Sequence, residues 1–400
     1  MARNSLVNLR QLSQDGQNNL AVSPFVELAK RDFTPSLSNQ SYVMTNSNTG
    51  PDKARDTSLL SSLAKWLQTA APQIGMPVNL DKFSSGQSNP TYRLQTDLGA
   101  EAGRFVLRTQ PAGLLLKSAH AVDREYRVMK ALDKTAVPVP GMIAACDDPD
   151  VIGMKFFVMR EIDGKTLFDP ALAGYMNADR HALFHAKIDV LAALAQLDPI
   201  ALGLEGFGKP SGYIDRQLGT WTRQYRASET EMIATMEFLL AELPDCLDGD
   251  VPGFCVIHGD FRLDNLLIRD QVRIAALIDW ELSTLGPAFI DLSYWCAMLR
   301  MDAQWPIGGL GGIDRASLGI PDEAALVAAF CAKTGLERPA NWDALIAFQC
   351  FRFAAILQGV LKRHLDGNAS ADNAASVGGQ AKLVAGLGKD ILSRYIAENS

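Results

Sequence analysis

HGDFRLDN (residues 258–265) and IDWE (278–281) decide the reading of this chain. Between them runs an apolar segment broken by Arg269, Asp270 and Gln271, which predicts a hairpin of strands 266–269 and 273–278 with a polar turn. A hairpin returns its two ends to one place. Asn265 and Asp279 therefore fall at the same open end, with Asp260 in the loop that feeds the first strand. Mg²⁺ prefers hard oxygen ligands, keeps several waters and takes one or two protein oxygens beside substrate phosphates, so Asn265 with Asp279 suits a half-shell. Asp260 is then free for the nucleophile, where a carboxylate can accept the proton of an attacking hydroxyl or orient it. Asp-rich loops often only make turns or cap helices, and each aspartate alone would carry no chemistry. His258-Gly259-Asp260, an Asn five positions on and Asp279 after a buried strand are harder to obtain that way, and together they point to phosphoryl transfer.

The residues before this loop read as a smaller lobe. Leu60, Leu63, Ala64 and Leu67 describe a helix that stops at Pro72, followed by a strand near 79–84. The loop SSGQSNP (84–90) comes next, where Gly86, Ser88 and Asn89 suit a turn whose backbone N–H groups face phosphate oxygens; a plain hairpin turn is the alternative. Strand 104–109 carries Arg108, and helix 121–133 has an apolar stripe at Val122, Tyr126, Met129 and Leu132 with Glu125 inside it. A carboxylate on a buried face needs a cation, and Arg108 is the natural partner. Such a pair would aim a cation at phosphates or serve as a structural ion pair. FFVMREIDG (156–164) is a buried-type strand ending in a polar Gly turn, as expected of a connection between lobes. An adenine edge needs one N–H and one C=O in an apolar slot, and the backbone of Met159, Arg160, Glu161 and Ile162 is the stretch that would offer them.

The larger lobe reads as mostly helical, with periodic segments at 178–197, 213–241, 323–335 and 341–364. His181 and His185 stand four apart, a zinc-ligand spacing, but no carboxylate follows in the HExxH order and both read as ordinary helix residues. His258 is expected to hydrogen-bond backbone and fix the catalytic loop. GGLGG (308–312) lacks the flanking strand and helix of a dinucleotide fingerprint and reads as a mobile loop near the acceptor site. Trp221, Arg223, Tyr225 and Arg226 on one helix, with Arg352, Gln358, Lys362 and Arg363 on another, could line a pocket for an anionic acceptor or form packing and a solvated face.

At HGDFRLDN and IDWE the chain resembles the aminoglycoside phosphotransferase and choline kinase branch of the protein-kinase-like fold. FVLRTQP (105–111), VPVPGMIAACDDPDVIGMKFFVMREIDGKTL (137–167), WELSTLG (280–286) and FRFAAILQGVLKRHLDGNAS (351–370) look like the subgroup related to kinase domains fused to acyl-CoA dehydrogenases. The resemblance implies an α+β, bilobal protein-kinase-like fold with a small antiparallel-sheet N-lobe and a mostly helical C-lobe. It implies ATP as donor, Asp260 as catalytic base, and Asn265 and Asp279 as Mg²⁺ ligands. Asp291 resembles a family aspartate that braces the catalytic loop. Arg108 stands where kinases usually carry lysine, which keeps the charge and adds a bidentate fork. Trp280-Glu281 stands where protein kinases have Phe-Gly, so switching built on that glycine hinge is not expected, and a protein acceptor is disfavoured. Glu281 would reach either metal or a neighbouring helix. The subgroup suggests a hydroxyacyl-CoA or hydroxy acid as acceptor; an antibiotic, amino alcohol or sugar stays open, as does a scaffold that binds nucleotide or acyl-CoA without chemistry. Residues 341–366 offer only Asp343 and Asp366, too few carboxylates for a polycationic aminoglycoside.

Composition bounds the rest. A chain of 400 residues, 48% hydrophobic, can bury a large core and is expected to form two lobes. A net charge of −7 and a pI near 5.4 oppose nucleic-acid binding, which needs dense Lys/Arg surfaces. Six cysteines without CxxC pairing fit a reduced, cytoplasmic protein with neither disulfides nor zinc. No apolar run of about 18 residues and no signal-peptide core are read, so no membrane partner is expected. Residues 1–56, rich in Ser, Asn and Gln, read as a flexible arm, 57–161 as the N-lobe and 162–400 as the C-lobe carrying the catalytic loop and acceptor site.

Overall fold

The computed structural model describes residues 52–83, 89–99, 102–111, 122–249, 251–367 and 373–400. Gly86, Ser88 and nearly all of the expected arm lie outside the described residues. Helix α1 (Asp52–Ala70) starts within the last residues assigned to that arm and ends ahead of Pro72, which opens a short 3₁₀ turn.

Strands β1 (Pro77–Lys82), β2 (Thr91–Thr96), β3 (Phe105–Thr109), β4 (Met142–Cys146) and β5 (Phe156–Arg160) form one antiparallel sheet in the order β1-β2-β3-β5-β4, with α2 (Val122–Leu132) between β3 and β4 in sequence. Period-2 alternation sorts their side chains. Phe105, Leu107, Phe156 and Val158 pack with Leu63 and Leu67 of α1, whereas Phe157 joins the other core, with Val128, Met129 and Leu132 of α2. Arg108 pairs with Phe157 in the β3–β5 register and shares its face, which turns Arg108 toward α2. The buried stripe of α2 is Val122, Glu125, Val128, Met129 and Leu132, so Tyr126 lies at its edge and Val128 belongs to it.

The remainder is helical apart from two small ribbons. Helices α3 (Asn177–Ala195), α4 (Tyr213–Ser228) and α5 (Ala234–Cys246) precede β6 (Cys255–Ile257). The hairpin β7 (Leu266–Arg269) with β8 (Arg273–Leu277) follows, its turn made by Asp270 and Gln271 at φ 50° and 65°, and β9 (Thr284–Gly286) pairs back with β6. Then come α6 (Ile290–Arg300), α7 (Glu323–Thr334), α8 (Trp342–Leu365), α9 (Ala374–Gly378) and α10 (Ala381–Asn399). The segment read as one helix over 213–241 is two. Ser228 Oγ bonds back to the Gln224 and Tyr225 carbonyls, and Gln358 of α8 donates to the Ser228 carbonyl and Thr230 Oγ1, which ends α4. Helix α8 is long and apolar enough to cross a bilayer, although the sequence shows no unbroken run; it is the core helix, packed against α4, α5, α6 and α10 and buried over nearly its whole length. All six cysteines are free.

Candidate active site

The catalytic loop is held from three sides. Strand β6 delivers His258, whose N–H donates to Asp291 Oδ2 at 2.7 Å, while Gly259 N–H donates to Asp291 Oδ1 at 2.8 Å. Asp291 thus braces the loop from the first turn of α6, where burial raises its pKa against His258 and these two N–H donors. Gly259 needs its left-handed φ of 86°, and a Cβ there would sit 2.7 Å from the Leu282 carbonyl. Arg352 of α8 donates to the Gly259 carbonyl at 2.7 Å, its guanidinium lying 5.3 and 5.2 Å from the Trp221 and Tyr294 ring centres. His258 Nδ1 accepts from Asp260 N–H at 3.2 Å, so Nε2 carries the proton and donates to the Ile278 carbonyl at 3.0 Å. The imidazole therefore ties the loop to the end of β8.

Asp260 is only 2% exposed. Its Oδ2 accepts from Asn265 Nδ2 at 2.9 Å and its Oδ1 from the Tyr294 hydroxyl at 2.9 Å, with Arg262 Nε 3.1 Å from Oδ1. Burial, reinforced by Asp260, raises the Tyr294 pKa and keeps that hydroxyl protonated as a donor. Asn265 also donates to the Asp260 carbonyl, and its own carbonyl accepts from Ile278 N–H at 2.9 Å, which closes the hairpin beside Asp279.

Asp279 takes a left-handed conformation at φ 68° and ψ 62°, which costs a branched or bulky residue on the order of 1–3 kcal/mol and persists where the surroundings enforce it. Its Oδ1 accepts from Arg108 Nη2 at 2.9 Å. Arg108 also donates through Nε to Glu125 at 2.7 Å and through Nη1 to Thr91 at 3.3 Å. The sequence-read pair is thus a triad that spans the lobes. Burial alone would lower the Arg108 pKa, but Glu125, Asp279 and Glu281 outweigh it and lock the guanidinium as a cation. A second cross-lobe contact runs from Asn89 Nδ2 to Glu281 Oε2 at 3.3 Å, so Glu281 meets the loop before β2. Asn89 Oδ1 is buried with no hydrogen-bond partner among the described residues.

Asn265, Asp279 and Asp260 come together as read, and the first two fit a hard cation. Burial pushes the Asp279 carboxyl up and Glu125 and Asp260 add to the rise, while Arg108 and His258 oppose it. Among the described residues no cluster of three His, Cys, Asp or Glu side chains could hold a metal unaided, which suits Mg²⁺ that completes its shell with phosphates and water.

Other expected residues lie elsewhere. At the lobe connection, Arg160 N–H donates to the Gly141 carbonyl and Glu161 N–H to Arg104, while the Glu161 carboxylate takes Arg93 at 2.6 and 2.9 Å. Neither N–H is open to an adenine edge without breaking a sheet bond; Met159 sits between β3 and β4 in the ladder. On α4 and α8, the alternative of packing and a solvated face describes the contacts of the residues read as pocket candidates. Trp221 and Arg352 clamp the catalytic loop, Gln358 ends α4, Arg226 pairs with Glu229 and Glu237, and Lys362 pairs with Asp366. GGLGG is hydrogen-bonded into the end of α6. Leu310 and Gly311 N–H donate to the Leu299 and Met301 carbonyls, and a Cβ on Gly309 would collide with Met298 O.

The sequence profile of the phosphotransferase enzyme family (APH) matches residues 79–345. The chain belongs to the phosphotransferase enzyme family. Acyl-CoA dehydrogenase family member 10 of Mus musculus is 41% identical over 320 residues, covering 80% of this chain and 30% of the relative. The probable acyl-CoA dehydrogenase IBR3 of Arabidopsis thaliana is 38% identical over 329 residues, 77% of this chain and 40% of its own length. This phosphotransferase thus spans less than half of the curated relatives it matches. A Ralstonia eutropha protein provisionally assigned as an aminoglycoside phosphotransferase superposes with TM-score 0.76 at 38% identity, covering 84% of this chain and 98% of that one. Aminoglycoside phosphotransferase APH(4)-Ia, solved with ADP and hygromycin B, superposes with TM-score 0.52 at 16% identity over 81% of this chain and 98% of that one, a likeness of fold. The α+β kinase-like fold is the architecture of this phosphotransferase, with its small antiparallel sheet beside a helical body.

Proposed function

We propose that this phosphotransferase is an ATP- and Mg²⁺-dependent small-molecule kinase that phosphorylates the hydroxyl of a hydroxyacyl-CoA or hydroxy acid. The observation that carries the kinase reading is the convergence of Asp260, Asn265 and Asp279 at one end of the β7–β8 hairpin, facing Arg108 across the lobes. When bound there by Asn265 and Asp279, Mg²⁺ would offset charge on the donor phosphates. Arg108, fixed as a cation by Glu125, presents charge toward the same place. Asp260 handles the acceptor proton: each carboxylate oxygen keeps lone-pair capacity beyond its bonds to Asn265, Tyr294 and Arg262. His258 does not compete for that role, because its Nδ1 is used by Asp260 N–H and its Nε2 by Ile278.

The acceptor class rests on the relatives, whose names place them with acyl-CoA dehydrogenases, and on charge. Asp343, the acid in the first turn of α8, is paired with Arg300 at 2.8 Å and Arg338 at 3.5 Å, so that helix offers no acidic cluster to a polycation. The test is an ATP-consumption screen over hydroxyacyl-CoAs, hydroxy acids, amino alcohols, sugars and aminoglycosides. Turnover with the first two classes is expected; turnover confined to the others would overturn the acceptor. Asp260→Asn should lower turnover about 10²–10⁴-fold with nucleotide binding retained, and undiminished turnover would remove the residue from its role.

A further inference from the structure

Walled on one side by residues 261–264 of the catalytic loop, a cavity of about 80 Å³ lies between α3, α6 and the 307–309 segment. Its walls are mostly apolar, with Leu183, Phe184, Phe261 and Trp295 among them, and the Arg262–Asp264 pair also lines it. One ammonium enters this lining. Lys187 of α3 is 2% exposed and has no hydrogen bond or ion pair among the described residues; its Nζ lies 3.9 Å from the Trp295 ring centre and 5.4 Å from that of Phe261. A buried charge without a partner is costly, and ring faces return only part of that cost. Packing alone gives no reason for an ammonium here, since methionine would fill the same space at less expense.

We propose that this cavity is a binding site for a short-chain monocarboxylate, its carboxylate on Lys187 and its hydrocarbon body against the apolar walls. The neighbouring charges leave Lys187 as the cation a ligand can take. Asp264 Oδ2 is engaged by Arg262 Nη2 at 2.8 Å, and Arg262 Nε lies against Asp260 Oδ1 at 3.1 Å, so one guanidinium serves two carboxylates. Lys187 can be claimed without breaking a pair. Burial brings the Lys187 pKa down to about 7, with Asp264 opposing, so an arriving carboxylate would be matched by a nearby proton on the amine. The size fits as well: at roughly 10–15 Å³ of such volume per water-sized group, 80 Å³ accommodates about five to eight groups, the size of butyrate. Inorganic phosphate fits poorly, because its multiple charge would face apolar walls with a single unpaired cation. Arg262 joins the site to Asp260, so the occupant would sit one side chain from the catalytic carboxylate.

The test is calorimetric titration of the full chain with sodium butyrate, 1-butanol, butylammonium and phosphate, without nucleotide, so that its outcome stands apart from ATP turnover. Butyrate is expected to bind, and the other three at least tenfold more weakly. Lys187→Met should weaken butyrate binding more than tenfold while its thermal midpoint stays level or rises. Equal binding of butanol and butyrate would make the cavity a mere apolar hole and overturn the proposal, as would butyrate binding unchanged in Lys187→Met or absent from the wild type. A Lys187→Met protein that melts lower or fails to fold would make the amine a packing element and overturn it too.

Discussion

The two faces of the 258–265 loop differ in how they are built. On one, Asp260, Asn265, Asp279, Arg108 and Glu125 meet through charge-assisted bonds contributed by β3, α2, the loop and the end of β8. On the other, Phe261 and Leu263 join α3 and α6 around mostly apolar space that contains one ammonium unpaired among the described residues. The first face exists only while the small sheet and the helical body stay in register, because Arg108 and Asn89 belong to one and Asp279 and Glu281 to the other. The second lies wholly within the helical body. Charge density therefore concentrates where the small sheet meets the helical body, and apolar packing where one body packs on itself.

Removing the cation from the first face tests this division most severely. Arg108→Met leaves Glu125, 1% exposed, and Asp279 without their guanidinium, and breaking a buried pair from one side costs about 3–5 kcal/mol. Urea unfolding should show that loss together with a collapse of ATP-dependent turnover. A variant of unchanged stability would mean that water, not Arg108, balances those carboxylates. Arg352→Met probes the clamp from inside the helical body. The Gly259 carbonyl would lose a charged donor, a loss of about 1.5–3 kcal/mol, while the Arg108 triad stays whole. Turnover should fall more than nucleotide affinity; the reverse pattern would place Arg352 in donor binding.

The two faces also differ in how far the sequence discloses them. Asp260, Asn265, Asp279 and Arg108 are legible because phosphoryl transfer demands fixed residue types at short spacings, and because a hairpin and a strand-helix pair convert spacing into position. Asp291 is legible through the family resemblance alone. What escapes is anything set by contacts between distant elements. Arg352, Trp221 and Gln358 read as either pocket lining or packing along their helices, but which partners they take is set by α4 and α8 facing each other and the catalytic loop, where they serve as clamps and caps. Tyr294 and Arg262, both on Asp260, carry no pattern, although Arg262 lies inside the quoted motif. Lys187 is hidden in an ordinary helical period; a lysine at an apolar-stripe position of α3, between Phe184 and Leu191, is the one clue. The break between α4 and α5 is equally silent, since periodicity runs across it while Gln358 from another helix ends the first.

The last effect concerns Lys187 and sets the two faces against each other by pH. Buried among Trp295 and Phe261, with Asp264, Arg262 and the Cys296 thiol as the ionisable groups about it, Lys187 has its pKa lowered by burial from 10.5 to about 7. Between those values the unfolded chain binds a proton that the folded chain does not, so wild-type stability rises with pH there; at and below pH 7 both states are protonated and the full penalty stands. Each tenfold loss of proton affinity corresponds to about 1.4 kcal/mol, and the ring faces return on the order of 2 kcal/mol. Lys187→Met should therefore exceed the wild type at pH 6.5, with its advantage falling by about 1.4 kcal/mol per pH unit between pH 7 and pH 10, read by urea unfolding at each pH. Arg108→Met should show no such closing gap, because its guanidinium stays charged throughout. A pH-independent gap for Lys187→Met, or a wild type that is the more stable at pH 6.5, would show that the ammonium already has an adequate partner and would erase the contrast between a face made of paired charges and one holding a charge in reserve.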